Sequence, residues 1–230
     1  MKRIGLIIAV KDEASKIIAD HRYKWIKDEN NIYTSNAFPI SLYICGIGKA
    51  YAVYGLSKIL NNSDIILSMG TSGGLGNETI GSIYIVNEFV EHDMNVAGLG
   101  FEEGVTPFCG MKSPVISRCS EETTIFIENS IKKSELNYTF GRTISGDTFI
   151  CDSATTEKKR TLFKAQLVDM ESAAIAKIIA SETNKDMIAV RFITDNANHE
   201  AAGNWQENVK QSAVLFNTIL LNLCESIKTL

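Results

Sequence analysis

Short apolar runs, most of them closed by a glycine cluster or an acid, constrain this chain more than any other feature. Residues 4–10 (IGLIIAV), 64–69 (DIILSM) and 187–193 (MIAVRFI) are near-continuous, as strands buried on both faces are. Residues 41–45, 82–90 and 139–144, and the pair Leu167-Val168, read as further strands. Between them lie segments of helical character at 50–60, 120–133, 155–162 and 204–227. Lys11-Asp12-Glu13-Ala14 opens another helix, and Ser172 onward a further one. Strands alternating with helices predict an α/β domain. Residues 21–37 are weakly patterned and read as a loop with an edge strand. No repeat, low-complexity tract or linker divides the 230 residues, so one domain spanning 1–230 is expected.

Charge and composition remove several function classes. Net charge is −4, with Lys and Arg scattered, which excludes the basic footprint of a nucleic-acid binder. No apolar run has the length of a membrane span, and Met1-Lys2-Arg3 leads straight into a strand, so a cytoplasmic location is expected. The five cysteines, Cys45, Cys109, Cys119, Cys151 and Cys224, are widely spaced with no CxxC pair, and His21, His92 and His199 lie far apart. Neither a disulfide framework nor a metal site is expected from that spacing.

The strand ends carry the chemistry. Glu13, Asp147, Glu171 and Asp195 each follow an apolar run, and ligands of open α/β sheets bind beyond the carboxyl ends of strands. Locally, Glu13, Asp169 and Glu171 also read as helix N-terminal acids compensating the helix dipole, so two readings stand. Gly70-Thr71-Ser72-Gly73-Gly74-Leu75-Gly76 reads as a loop after a strand, offering amides and two hydroxyls to an oxygen-rich ligand. It is no Walker loop, and Gly46-Ile47-Gly48 lacks the third glycine of a dinucleotide fingerprint. No cofactor is expected. Arg191, embedded in an apolar run, needs a carboxylate partner, for which Glu13 or Glu171 would serve. The stretch from Glu91 to Pro114 holds Gly98, Gly100, Gly104 and Gly110 and reads as a long functional loop. Its Leu99, Phe101 and Phe108 suit an apolar pocket or a partner surface. Acids converging on one crevice suit a reaction that passes through a cation, such as cleavage of a sugar bond.

Taken together, Glu13, Gly46-Ile47-Gly48-Lys49, Gly70 to Leu75, His92-Asp93, Ser145-Gly146-Asp147-x-Phe149-Ile150, Val168-Asp169-Met170-Glu171 and Arg191-x-x-Thr194-Asp195 resemble the 5′-methylthioadenosine/S-adenosylhomocysteine nucleosidases, within the purine nucleoside phosphorylase superfamily. The resemblance runs from residue 4 to the C-terminus. It implies a three-layer α/β/α domain around a mixed, twisted sheet, a homodimer, a nucleoside substrate and water as co-substrate. It implies that Asp195 protonates adenine N7, that Glu13 activates water with Arg191 and Thr71 helping to hold it, and that Glu171 and the Met170 backbone bind the ribose. Phe149 would stack on adenine and the Ile150 backbone would read its edge. Val10, Ile47 and Trp205 would shape the 5′ pocket. Val96, Leu99, Phe101 and Pro107 would join them from the partner subunit.

The chain departs from the family pattern at several of these positions. Asp169 stands where glutamate is common, and Val10 where methionine is. Leu99 and Phe101 replace larger or more polar aromatics, Trp205 enlarges a wall, and Thr194 replaces serine. These changes bear on the 5′ group and leave the chemistry in place. Phosphorolysis, the nearest rival, needs cationic donors, and the corresponding places carry Lys11 and Met69. A hydrolase of futalosine-type nucleosides is a second rival. A non-catalytic nucleoside-binding protein, the third, would be favoured by loss of an acid, and all the acids are present.

Overall fold

The apolar runs do form strands, and their side chains alternate between two cores. The structure, a computed structural model, describes residues 2–108, 113, 115–116 and 119–228. In chain order the first half comprises β1 (Ile4–Ile8), α1 (Lys11–Ala19), β2 (Trp25–Lys27), β3 (Tyr33–Ser35), β4 (Ile40–Ile44), α2 (Lys49–Ile59), β5 (Ile65–Gly74) and β6 (Ile83–Glu91). The second half adds β7 (Val115–Ile116), α3 (Glu121–Lys133), β8 (Tyr138–Ser145), α4 (Ser153–Phe163), β9 (Leu167–Asp169), α5 (Ser172–Glu182), β10 (Asp186–Asp195) and α6 (Ala201–Lys228).

Period-two alternation sends Ile4, Leu6 and Ile8 of β1 to the core under α1, α3 and α6, where Ile17, Ile131 and Phe216 meet them. Ile7 faces the other way, toward Leu56 of α2 and Ile175 and Ile179 of α5. The sheet is thus covered on both faces, which is the three-layer α/β/α arrangement and explains why its strands read as continuous apolar runs. A third, smaller core gathers Leu75, Ile144, Ile150, Phe163 and Ala197 near α4.

The sheet is mixed: β1 is parallel to β4 and β5, β10 is parallel to β5 and antiparallel to β6, and β9 runs antiparallel to β5. β5 pairs with β10 on one side and with β1, then β9, on the other. Because β6 joins β10 to β8, and β8 joins β9, the five strands β5, β10, β6, β8 and β9 close into a ring.

The structure corrects two readings of local structure. Residues 21–37 hold two short strands, β2 and β3, and not one. The glycine-rich segment is no loop, because β5 runs on through Gly74. Its hydroxyls face the protein: Ser72 Oγ donates to the Val168 carbonyl, 2.9 Å. Glycine is required at 73 because a Cβ there would lie 2.9 Å from Asp195 Oδ1 and 3.1 Å from Val168. The 91–114 stretch has only a short 3-10 turn at Ala97–Leu99 among its described residues. Cys109, Gly110 and Pro114 lie outside the described residues. The four described cysteines are free thiols. No helix of the described residues is long and apolar enough to cross a membrane.

Candidate active site

Glu13 becomes a site residue because β5 has a gap in its pairing. β1 covers Ile65 to Ser68 of β5, and β9 begins only at Gly73. The Thr71 amide, in between, donates to Glu13 Oε1 at 2.7 Å, and the Thr71 hydroxyl donates to the same oxygen at 2.7 Å. Glu13 also keeps the bland role its position suggested, since Oε2 accepts from the Val10 amide at the start of α1, 3.3 Å. The side chain is 3% exposed. Burial raises its pKa, against the Thr71 hydrogen bonds and the charge of Arg191.

Asp195 closes β10. Its Oδ1 accepts from the Ala197 amide and its Oδ2 from the Thr194 hydroxyl, both 2.9 Å. Burial raises this carboxyl too, against the same two bonds. Ala197, fully buried, holds φ +48°, a left-handed conformation rare for a residue with a Cβ. The turn that presents the acid is therefore held by its surroundings, including the Thr156 hydroxyl bound to the Ala197 carbonyl at 2.5 Å.

Glu171 occupies the N-cap position of α5 but does not cap it. Its Oε1 accepts from the Gly48 amide, 2.9 Å, in the turn before α2. Burial and the neighbouring Asp169 charge push its pKa up to about 7. Gly48 holds φ +95°, and a Cβ there would lie 2.8 Å from Asp147 Oδ1. Asp147 is exposed, and its Oδ1 accepts from the Lys49 amide, 2.8 Å. This strand-end acid braces the turn and does not line the cavity. Asp93 completes the brace, accepting from Lys49 Nζ at 2.7 Å and the Asp147 amide at 2.9 Å.

The partner of Arg191 is neither Glu13 nor Glu171. Its Nε donates to Asp169 Oδ2, 2.9 Å, and its terminal nitrogens donate to the carbonyls of Ser68 and Val190 and the hydroxyls of Ser68 and Ser172. Five bonds match its five N–H groups. Arg191 thus sits behind the cavity and acts on Glu13 by charge. Asp169 also accepts from the Glu171 and Ser172 amides, so its reading as a helix-start acid holds as well. Despite burial its pKa is lowered, by Arg191 and the hydroxyls of Ser145 and Ser172.

Glu13, Glu171 and Asp195 line one cavity of about 340 Å³. Val10, Ile47, Thr71, Phe149, Ile150, Met170 and Trp205 line it too, together with Asp169. Among the described residues, the lining contains no Lys or Arg. Phe149 is half exposed at its mouth, and Trp205 Nε1 donates to Thr71 Oγ1 at 3.0 Å. Val96, Leu99, Phe101 and Pro107 do not line the cavity of their own chain. Leu99 is 66% exposed, and Phe101 packs edge-on against Phe108. Among the described residues, no group of three His, Cys, Asp or Glu side chains is placed to hold a metal ion.

This architecture has close structural counterparts. A futalosine hydrolase mutant of Helicobacter pylori superposes with a TM-score of 0.85 at 21% identity, covering 98% of this chain and 100% of that one. A Helicobacter pylori 5′-methylthioadenosine/S-adenosyl homocysteine nucleosidase mutant with 5′-methylthioadenosine in its active site gives 0.86 at 20%, covering 98% and 99%. A putative 5′-methylthioadenosine/S-adenosylhomocysteine nucleosidase from Francisella philomiragia gives 0.86 at 23%, with the same coverage. At such identities the likeness establishes the fold. Residues 3–227 match the sequence profile of the phosphorylase superfamily, and on that match over nearly its whole length the chain belongs to the phosphorylase superfamily.

Proposed function

We propose that the protein hydrolyses the N-glycosidic bond of 5′-methylthioadenosine and S-adenosylhomocysteine, releasing adenine and the thioribose sugar. One observation carries the reading: two buried carboxyls with raised pKa values, Glu13 and Asp195, line the same cavity, and among the described residues its lining has no cation to hold phosphate. Burial favours the neutral form of Asp195, which gives its proton to adenine N7 as the bond to C1′ breaks. Glu13 takes a proton from the attacking water. Glu171, its charge near the sugar, binds the ribose hydroxyls with the Met170 backbone and favours the oxocarbenium-like state. Phe149 stacks on the base and the Ile150 backbone reads its edge. Val10, Ile47 and Trp205 border the 5′ group.

The protein acts as a homodimer in this reading, with Val96, Leu99, Phe101 and Pro107 of one subunit completing the cavity of the other. Their placement away from their own cavity, and the exposure of Leu99, support that role. In this reading it serves nucleoside catabolism in the cytoplasm.

The test is adenine release from methylthioadenosine, S-adenosylhomocysteine and adenosine, with futalosine run alongside, in phosphate-free buffer and with added phosphate. Phosphate-independent release from the thioethers is expected. Release only with phosphate would assign a phosphorylase, and turnover of futalosine alone the related hydrolase. Sedimentation of the protein checks the dimer.

A further inference from the structure

The Thr71 hydroxyl is bonded on two sides. Trp205 Nε1 lies 3.0 Å from Thr71 Oγ1, and Glu13 Oε1 lies 2.7 Å from it. An indole N–H can only donate, so Thr71 accepts from Trp205 and its own proton points at Glu13. Glu13 Oε1 then accepts both the hydroxyl and the amide of Thr71, which fills its two lone pairs. Among the described residues Oε2 has one hydrogen-bond partner, the Val10 amide, at the longer distance of 3.3 Å.

We propose that Trp205 is a positioning residue, whose indole N–H locks the Thr71 hydroxyl onto Glu13 Oε1 and leaves Oε2 as the oxygen that takes the proton from water. This rests on Glu13 being the base proposed above. In the step, the water oxygen bonds to C1′, the bond from C1′ to the purine nitrogen breaks, one water proton passes to Oε2, and Asp195 supplies the proton that leaves with adenine. Trp205 sits on the first turns of α6 and lines the cavity wall as well, so one side chain both borders the substrate and sets the direction of the base.

Glu13 is faced by Arg191 from β10, by Glu171 from the turn before α5, and by Cys45 at the end of β4. Asp195 lines the same cavity. On its outer side Trp205 borders a second hollow, shared with Asp12, Lys16 and Lys210. Any test by pH must separate Glu13 from these groups.

Indole resonances of ¹⁵N-labelled protein do so without relying on turnover. The chain has two tryptophans. Trp25 donates to the Ile17 carbonyl at 2.9 Å and serves as an internal reference. The Trp205 signal is expected to shift as pH crosses a midpoint above the ordinary carboxylate range, and Glu13→Gln should abolish that shift. A Trp205 signal that stays still, or moves equally in Glu13→Gln, overturns the proposal. In turnover, Trp205→Phe keeps a ring and removes the N–H. It should lower kcat about tenfold, leave KM for methylthioadenosine within about twofold, and move the acid limb of the profile to higher pH. A raised KM with an unchanged profile would make Trp205 a wall and nothing more. If Glu13→Gln retains full turnover while the wild-type resonance shows a titration that the variant lacks, the hydrogen-bond chain stands and the assignment of the base fails.

Discussion

Arg191 and Asp169 form an ion pair of 2.9 Å in which the side chains are 2% and 1% exposed. It joins β10 to the end of β9 behind the cavity. Asp169 also holds the amides that begin α5, so the position of Glu171 depends on the pair. In return, the guanidinium places a positive charge behind Glu13.

Removing one partner of such a pair leaves the other charged and dry. Asp169→Ala should destabilise the fold by about 3–5 kcal/mol, read by urea unfolding, and should lower turnover because the α5 start is released. A stable, fully active variant would mean that the pair is dispensable to both.

Glu13→Ala should reduce adenine release by about 10²–10⁴-fold. Lys11→Ala should leave it nearly unchanged, because Lys11 is exposed and does not line the cavity. Both are measured in phosphate-free buffer. The reverse pattern would point to an anion held by Lys11 and sink the water-activation role.

Asp195→Asn keeps the shape and both local hydrogen-bond partners within reach, but cannot supply a proton. We expect kcat to fall by about 10²–10⁴-fold while calorimetry still detects methylthioadenosine binding. Equal losses in binding and turnover would assign Asp195 to recognition instead of proton transfer.

Glu171 titrates at 4.5 in its ordinary state and at about 7 in the fold. The folded form holds the proton more tightly, so its contribution to stability is complete below 4.5 and is lost as pH rises through 7. Glu171→Gln should therefore match the wild type in stability near pH 4 and exceed it by roughly 3 kcal/mol at pH 8. Turnover should fall at both. Thermal melts across that range check the crossover, and a constant difference would assign the effect to packing.

Much of this was legible in the sequence because buried strands declare themselves. Residues 4–10 and 187–193 could be little else, and the acids after them fell where strands end. What the sequence could not give was direction. Asp147 follows a strand as Asp195 does, yet its carboxylate turns to the Lys49 amide and not to the cavity. Arg191 needed an acid, and it found Asp169, which the sequence offers as a strand-end acid or a helix-start acid but not as the arginine's partner. The glycine-rich segment looked like a loop because glycine usually marks one, whereas Gly73 serves the close approach of Asp195 to a continuous strand. Val96, Leu99, Phe101 and Pro107, grouped by the sequence with the pocket, stand away from the cavity of their own chain.

The closed ring of five strands has a consequence for how the molecule breathes. A strand with neighbours on both sides has no edge from which to peel, and β5 is paired with β10 along nearly all its length. Its amides bonded to neighbouring strands should exchange with solvent only when the whole protein unfolds, whereas those of β2, at the open end of the sheet, should exchange through local fraying. The floor of the cavity is then the slowest-exchanging part of the chain, and any motion that opens the cavity must belong to the walls.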